Sequence, residues 1–290
     1  NDISQLFDRS DVPSTLAACG RLEESHSILT TVTRKAGGSP LYATYLCRMA
    51  VGAIGMPSGI VPADSVSSYL SSVPECDHDL KAYYEWVVRS IESDSGAIWT
   101  AELLSQIDFA VTRDELKQIR PEFQGYLDRV INRLSPVLSI DVAHGIRIYH
   151  ESFQRFMGAR VLGNSQELSQ ILAPAIQWLE SKGHFRDLRA FRSLFSLLQK
   201  VGKDHEVLSR TDQNFVVKAV ANAQPADAVE ANVAIAARVA AKMQDWPVLA
   251  RLLEIARTAD SAYYDNLGRD HLLAEAYGDA FASVYGSNAL

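Results

Sequence analysis

Apolar residues along this chain recur mostly at three- and four-residue intervals, the spacing of one helix face, and the main departure lies between Gly145 and Met157. From Ile146 to Tyr149, two isoleucines alternate with Arg147 and Tyr149, as in a half-buried strand. Phe153, Phe156 and Met157 then fall three and four apart, which marks a helix. His150 stands where the period changes. A side chain at such a strand-to-helix junction is held by two packed elements beside the first free N–H groups of a helix, a good place to meet an anion.

Before this stretch the pattern predicts a succession of helices. Residues 1–20 carry Leu6, Phe7, Val12 and Leu16 without a long period and read as short helices and turns. Leu22, Ile28, Leu29 and Val32 predict a helix that stops at Gly37-Gly38, after which Ser39 can cap and Pro40 can start the next. Leu41, Tyr45, Leu46, Met49 and Ala53 form the apolar face of that next helix, until the Pro- and Gly-containing segment from Gly55 to Pro62 breaks it. A short helix from Ser65 to Leu70 is followed by Pro74-Glu75-Cys76-Asp77, which reads as a linker.

A strongly apolar helix with Tyr83, Tyr84, Trp86, Val87, Val88 and Ile91 comes next, and three closely spaced helices follow. The first carries Ile98, Trp99, Leu103, Leu104 and Ile107. The second opens on Thr112 with Glu115 three residues on, a capping-box signature, and stops at Pro121. The third carries Phe123, Leu127, Val130, Ile131 and Leu134 and ends at Pro136. Two short strands, Val137 to Ile140 and Ile146 to Tyr149, complete the order helix, helix, helix, hairpin, which is the layout of a winged helix.

From Gly163 onward the chain is helical to its end, with breaks near Gly183, Gly202, Pro225, Asp245-Trp246-Pro247 and Asp260. Short connections make these helices antiparallel neighbours. Ala234 to Ala241 and Leu249 to Ala256, joined by a turn at Asp245-Trp246, have the look of a tetratricopeptide-type hairpin, although the period is too irregular to define repeats. The expected fold is therefore mainly α: a helical subdomain over residues 1–75, a winged-helix domain with a small β-hairpin over 76–162, and an α-solenoid, TPR-like array over 163–290.

The chain has 290 residues, with 47% apolar and 22% charged positions, enough for two or three domains with real cores. A net charge of −7 supplies no basic field to draw in nucleic acid or an anionic membrane. Cys19, Cys47 and Cys76 are odd in number and widely spaced, which suggests neither a disulfide framework nor a zinc cluster and fits a reducing cytoplasm. No apolar run reaches the roughly 18 residues of a membrane span and no signal peptide is visible, while a start at Asn1 rather than methionine points to a piece of a longer protein.

Several chemistries are excluded by their missing parts. Gly202-Lys203 is followed by Asp204 and has no glycine five residues before it, so no P-loop exists and the chain alone is not expected to hydrolyse ATP or to bind it tightly. Gly55-Met56-Pro57-Ser58-Gly59 has its serine one place off for a nucleophile elbow. Cys76-Asp77-His78 lacks a second ligand pair at a zinc spacing, and His184 and His205 have no acid or metal companion nearby in sequence. Neither catalytic nor metal-ligating residues are expected. On the third helix of the winged helix, Glu122 and Asp128 balance Arg129 and Arg133, which disfavours duplex reading; Arg113, Lys117 and Arg120 on the second are what remains for it.

Gly38-Ser39-Pro40-Leu41, then a winged helix, then His150-Glu151-Ser152-Phe153-Gln154-Arg155-Phe156-Met157, is an order that resembles the STAND class of signal-transduction NTPases, which includes the NACHT and NB-ARC families. Thr112-Arg113-Asp114-Glu115-Leu116 resembles the second winged-helix segment of that class, and Arg155 departs from it where an acidic residue is common. The resemblance spans roughly Ile3 to Arg160. It implies that Pro40 packs on the adenine of bound ADP or ATP and that His150 meets the β-phosphate of ADP in a closed resting state.

By the same resemblance, the P-loop core and its Mg ion belong to an upstream NTPase core, the helical array receives a trigger protein or ligand, and activation makes a homo-oligomer. This chain is then expected to be the regulatory part of an ADP/ATP-dependent signalling switch in a cytoplasmic sensor of the bacterial antiphage or immune kind. Alternatives are a STAND-type transcription activator, with DNA contacts from this winged helix or another domain, and a helical interaction scaffold with no nucleotide role.

Overall fold

The computed structural model describes residues 2–54, 66–76, 79–141 and 145–262. It is mainly helical, with sixteen α-helices and one two-stranded sheet among the described residues. Two compact units divide the chain at Pro174, residues 1–174 and 175–290, so the regions 1–75 and 76–162 fall within one unit. The segment Gly55 to Gly59, the Gly55 to Pro62 break and the residues Asp77 and His78 of the Cys76 triplet lie outside the described residues.

The first unit opens with α1 (Asp2–Arg9), α2 (Val12–Ala18), α3 (Ser25–Ala36), α4 (Pro40–Ile54) and α5 (Val66–Ser71). Here α4 is the central member: α1, α2, α3 and α5 all pack on it, which leaves Tyr42, Tyr45, Leu46, Met49 and Ala50 buried. Its start follows the local chemistry. Gly37 ends α3 in the left-handed region at φ 54°, Gly38 follows at φ 87°, and the Ser39 hydroxyl accepts the Tyr42 N–H at 3.3 Å. Pro40 occupies the first turn, where its missing N–H costs nothing.

Next come α6 (Lys81–Ile91), α7 (Ser95–Gln106), α8 (Arg113–Ile119), α9 (Leu127–Leu134), the antiparallel strands β1 (Leu138–Asp141) and β2 (Gly145–Ile148), and α10 (Glu151–Val161). The second core forms around α7, which is buried almost all round and contacts α6, α9, α10 and β2. Val111 adds an antiparallel bridge to Ile146, so β2 is hydrogen-bonded on both edges. Both strands sit one residue from their expected bounds, yet the Tyr149 N–H still reaches the Val137 carbonyl at 2.8 Å. Phe123, expected on the third helix, belongs instead to a 3-10 turn at Pro121–Phe123. Gly125 interrupts the helix there, while Phe123 keeps its burial against Trp99, 5.2 Å between ring centroids.

At the head of α8 the Thr112 hydroxyl accepts the Glu115 N–H at 3.2 Å, and the Glu115 carboxylate accepts the Thr112 N–H at 2.8 Å. This reciprocal cap is the one that the Thr112/Glu115 spacing predicts. Thr112→Ala is expected to cost about 1 kcal/mol in a denaturant titration; an unchanged midpoint would mean that tertiary packing alone sets the start of α8.

The helix α11 (Ser165–Lys182) runs through the division between the units, which falls beside its internal Pro174. The second unit continues with α12 (Leu188–Lys200), α13 (Asp204–Arg210), α14 (Phe215–Ala221), α15 (Ala226–Lys242) and α16 (Trp246–Asp260). α15 and α16 form its most extensive helix pair, and α12 packs on α13 and α15. The breaks expected near Gly183, Gly202, Pro225 and Asp245 all coincide with helix ends. A further break, between α13 and α14, has no Gly or Pro to announce it.

Candidate functional site

The two candidate residues sit at the heads of two helices. Pro40 begins α4 and lines a groove of about 920 Å³, together with Leu6, Arg9, Thr44, Arg48 and Ile140 among others. Two turns along α4, about 12 Å from Pro40 by helix rise, Arg48 donates to the Leu138 carbonyl of β1 and lies 4.4 Å from the Tyr149 ring centroid. Desolvation lowers the pKa of this half-buried guanidinium, opposed by the phenols of Tyr149, Tyr45 and Tyr83. Arg48 therefore ties the helix that Pro40 heads to the hairpin that leads into His150.

His150 is the N-cap of α10, with extended backbone at φ −138° and ψ 138°. Its Nδ1 accepts the Ser152 N–H at 3.1 Å and lies 2.7 Å from the Ser152 hydroxyl. A nitrogen that accepts a backbone N–H carries no proton, so a neutral ring has its proton on Nε2. Nε2 has no hydrogen-bond partner among the described residues, and His150 is exposed. The Ser152 hydroxyl is 2.5 Å from the Tyr84 hydroxyl on α6, and that in turn is 3.5 Å from the Tyr45 hydroxyl on α4. Burial first, and then the contact with Tyr84, raises the Tyr45 pKa far above the usual phenol range. Tyr45 is thus a neutral hydrogen-bonding group at any working pH.

His150 is not among the described residues that line the groove beside Pro40. The two are joined through packed elements: Tyr45 of the Pro40 helix also contacts the Tyr149 ring, 5.9 Å between centroids. In the sequence Tyr84 is one apolar-face position among several, and nothing local marks Arg48. The two-residue spacing of His150 and Ser152 was the available signal, because an N-cap side chain reaches the N–H two residues on.

The basic residues of α8 and α9 are held by acids. Arg113 pairs with Asp128, Lys117 with Asp114 at 3.1 Å and Arg120 with Glu122 at 3.8 Å. Arg129 and Arg133 converge on the buried Asp94 carboxylate at 3.6 and 3.4 Å. A phosphate backbone would have to compete for each cation, which weakens the case for a duplex. Arg155 lies 3.6 Å from Glu151 one turn earlier on the exposed side of α10, so its charge has a local use.

Cys19, Cys47 and Cys76 are free thiols, exposed, buried and half-buried respectively. Among the described residues no group of three or more His, Cys, Asp and Glu side chains is placed to hold a metal, and no helix is long and apolar enough to cross a membrane. His184 lies in an aromatic cluster of the second unit, stacked on Phe195 at 4.8 Å. No family model matches the chain, and no curated protein or solved structure matches it.

Proposed function

We propose that this chain is the regulatory part of a STAND-class NTPase, in which residues 1–75 form the lid subdomain, 76–162 a winged helix that holds ADP in the resting state, and 163–290 a TPR-like array that receives the trigger. The order of α7, the Val111 bridge, α8, α9, β1 and β2 supports the winged-helix reading, since a third short strand beside the hairpin belongs to that layout. The paired cations of α8 and α9 favour a packing and latching role over DNA binding. The groove beside Pro40 has the size of a small-ligand site. The observation that carries the reading is the exposed ring of His150: Nδ1 is occupied by its own helix, and Nε2 has no hydrogen-bond partner among the described residues.

An imidazole N–H on a phosphate is a charge-assisted bond worth about 1.5–3 kcal/mol, or roughly ten- to hundredfold in ADP affinity for the closed state. Because that bond exists only when the winged helix is docked, it biases the closed–open equilibrium. The cap role dictates the variant. His150→Ala removes cap and donor together, whereas His150→Ser keeps a good cap and cannot reach a phosphate.

In the complete protein with its NTPase core, His150→Ser is expected to reduce the ADP-dependent rise in melting temperature and to raise trigger-independent oligomerisation. Pro40→Ala is expected to lower nucleotide occupancy without favouring the open form. An ADP-dependent shift that stays at the native value in His150→Ser would sink the latch.

A further inference from the structure

The contacts behind His150 have a fixed direction. The Ser152 backbone N–H can only donate, so Nδ1 is an acceptor. The Ser152 hydroxyl, 2.7 Å from the same Nδ1, must then be the donor in that contact. A hydroxyl has one proton, so its 2.5 Å contact with Tyr84 makes the Tyr84 hydroxyl the donor there. By the same count the Tyr45 hydroxyl donates to Tyr84 at 3.5 Å. One unambiguous N–H thus orders three hydroxyl groups from three helices: α4, α6 and α10.

We infer that Tyr45, Tyr84 and Ser152 form a directed hydrogen-bond relay whose role is to position His150 and hold its proton on Nε2, so that the outward donor depends on α4 and α6 being packed against α10. Aligned hydrogen bonds polarise one another, and buried ones do so more strongly. Tyr83 and Tyr84 lie against Tyr45, and Tyr84 packs on Phe153 and Phe156 at 5.2 and 5.5 Å, so the tyrosine end of the relay is held by packed rings. If α4, headed by Pro40, moves away from α6, Tyr84 loses its donor. If α6 leaves α10, Ser152 loses its donor and can turn away from Nδ1. His150 then keeps its cap bond but loses the second restraint on its ring. The relay would let the lid helix report its docking to the residue that touches the anion. That the anion is ADP phosphate rests on the function proposed above; the direction of the relay does not.

The test separates the two. Long-range 15N–1H spectra of the 290-residue chain, with His150 assigned by its disappearance in His150→Ser, read the tautomer and the Nδ1 shift directly. The expected wild-type signature is a single Nε2–H tautomer. In Tyr84→Phe, which keeps the ring contacts, the Nδ1 resonance is expected to move in the same direction as in Ser152→Ala, although Tyr84 reaches the imidazole only through the Ser152 hydroxyl. Tyr45→Phe should produce a smaller shift of the same sign. A wild-type Nδ1–H tautomer overturns the inference, and so does a Tyr84→Phe resonance at the wild-type position.

In the complete protein, Tyr84→Phe is expected to speed ADP release about two- to tenfold, the worth of one ordinary hydrogen bond. Combined with His150→Ser it should add nothing, because the relay acts through that ring. Full additivity of the two overturns the relay as a positioning device. No effect of His150→Ser on release, beside the expected NMR signature, overturns the nucleotide reading and leaves the relay standing.

Discussion

Between pH 6.5 and 4 the second unit is expected to lose about 3 kcal/mol of stability through a single residue, His184. Its ring lies among Phe185, Phe191, Phe195 and Phe215, with centroids 4.8 to 6.3 Å away, and neither ring nitrogen has a hydrogen-bond partner among the described residues. Burial foremost, and the Arg210 charge next, lower its pKa from 6.5 to about 4; the Ala190 backbone opposes this without forming a hydrogen bond. The sign follows from which state takes the proton. Above pH 6.5 the ring is neutral in folded and unfolded chains alike, and its burial is tolerated in full.

As pH falls through 6.5 the unfolded chain binds a proton that the folded chain refuses until about 4, so the equilibrium moves toward unfolding across that window and levels off below it. Arg210 is also bound to Glu180 and Glu206, and Glu206 is held below the usual carboxylate range by its contacts with Lys203 and Arg210. Those carboxylates add their own acid lability. They are common to wild type and His184→Phe, so the difference between the two isolates the histidine. Denaturant titrations should give similar stabilities at pH 7.5 and a gap widening by about 3 kcal/mol toward pH 4 in favour of His184→Phe. Parallel pH curves for the two proteins would show that the ring finds a partner or water in solution.

Gly145→Ala is expected to be the most damaging small substitution in the first unit. Gly145 has φ 91°, where a side chain is strained, and an added Cβ would lie 2.9 Å from the Val111 carbonyl oxygen, 3.0 Å from its carbon and 3.3 Å from the Thr112 nitrogen. These are backbone atoms that cannot swing aside. They also carry the bridge, in which Ile146 N–H reaches Val111 at 2.7 Å and Val111 N–H reaches Ile146 at 3.0 Å. Backbone strain of about 1–2 kcal/mol and overpacking of about 1–3 kcal/mol together predict a loss of roughly 2–5 kcal/mol. Since β2 leads directly into the His150 cap, the same change should disturb the His150 ring signals. Gly125→Ala, where an added Cβ meets nothing within 4 Å, serves as the control. A Gly145→Ala loss below about 1 kcal/mol would mean that β1 and β2 hold without Val111.

Local signals in this chain are legible where the physics is local. The Gly37-Gly38-Ser39-Pro40 boundary and the Thr112/Glu115 cap depend on groups within four residues of each other, and they appear at those residues in the fold. Phe123 was misplaced because its i, i+4 spacing to Leu127 satisfies a helix face across a Gln124-Gly125-Tyr126 turn that no helix occupies. A buried side chain can keep its place in a core while the backbone beneath it changes form. The break between α13 and α14 was invisible for the converse reason: Thr211 to Asn214 carries no glycine or proline, and the turn is held by bonds such as Asn214 N–H to the Asp212 carboxylate at 3.0 Å.

For the candidate site, the amino-acid order by itself determined the mainly helical class, the strand-to-helix change at His150 and the start of a helix at Pro40, because periodicity and capping act over a few residues. Only the tertiary structure decided what stands behind them. Arg48 reaches Leu138 across 90 residues, and Tyr84 reaches Ser152 across 68. No local rule relates such positions, since their meeting is set by how α4, α6 and α10 pack. In sequence Tyr45 and Tyr84 are simply apolar-face residues. It is the burial of their rings, with the hydroxyls left facing one another and Ser152, that turns two core positions into the support of a histidine.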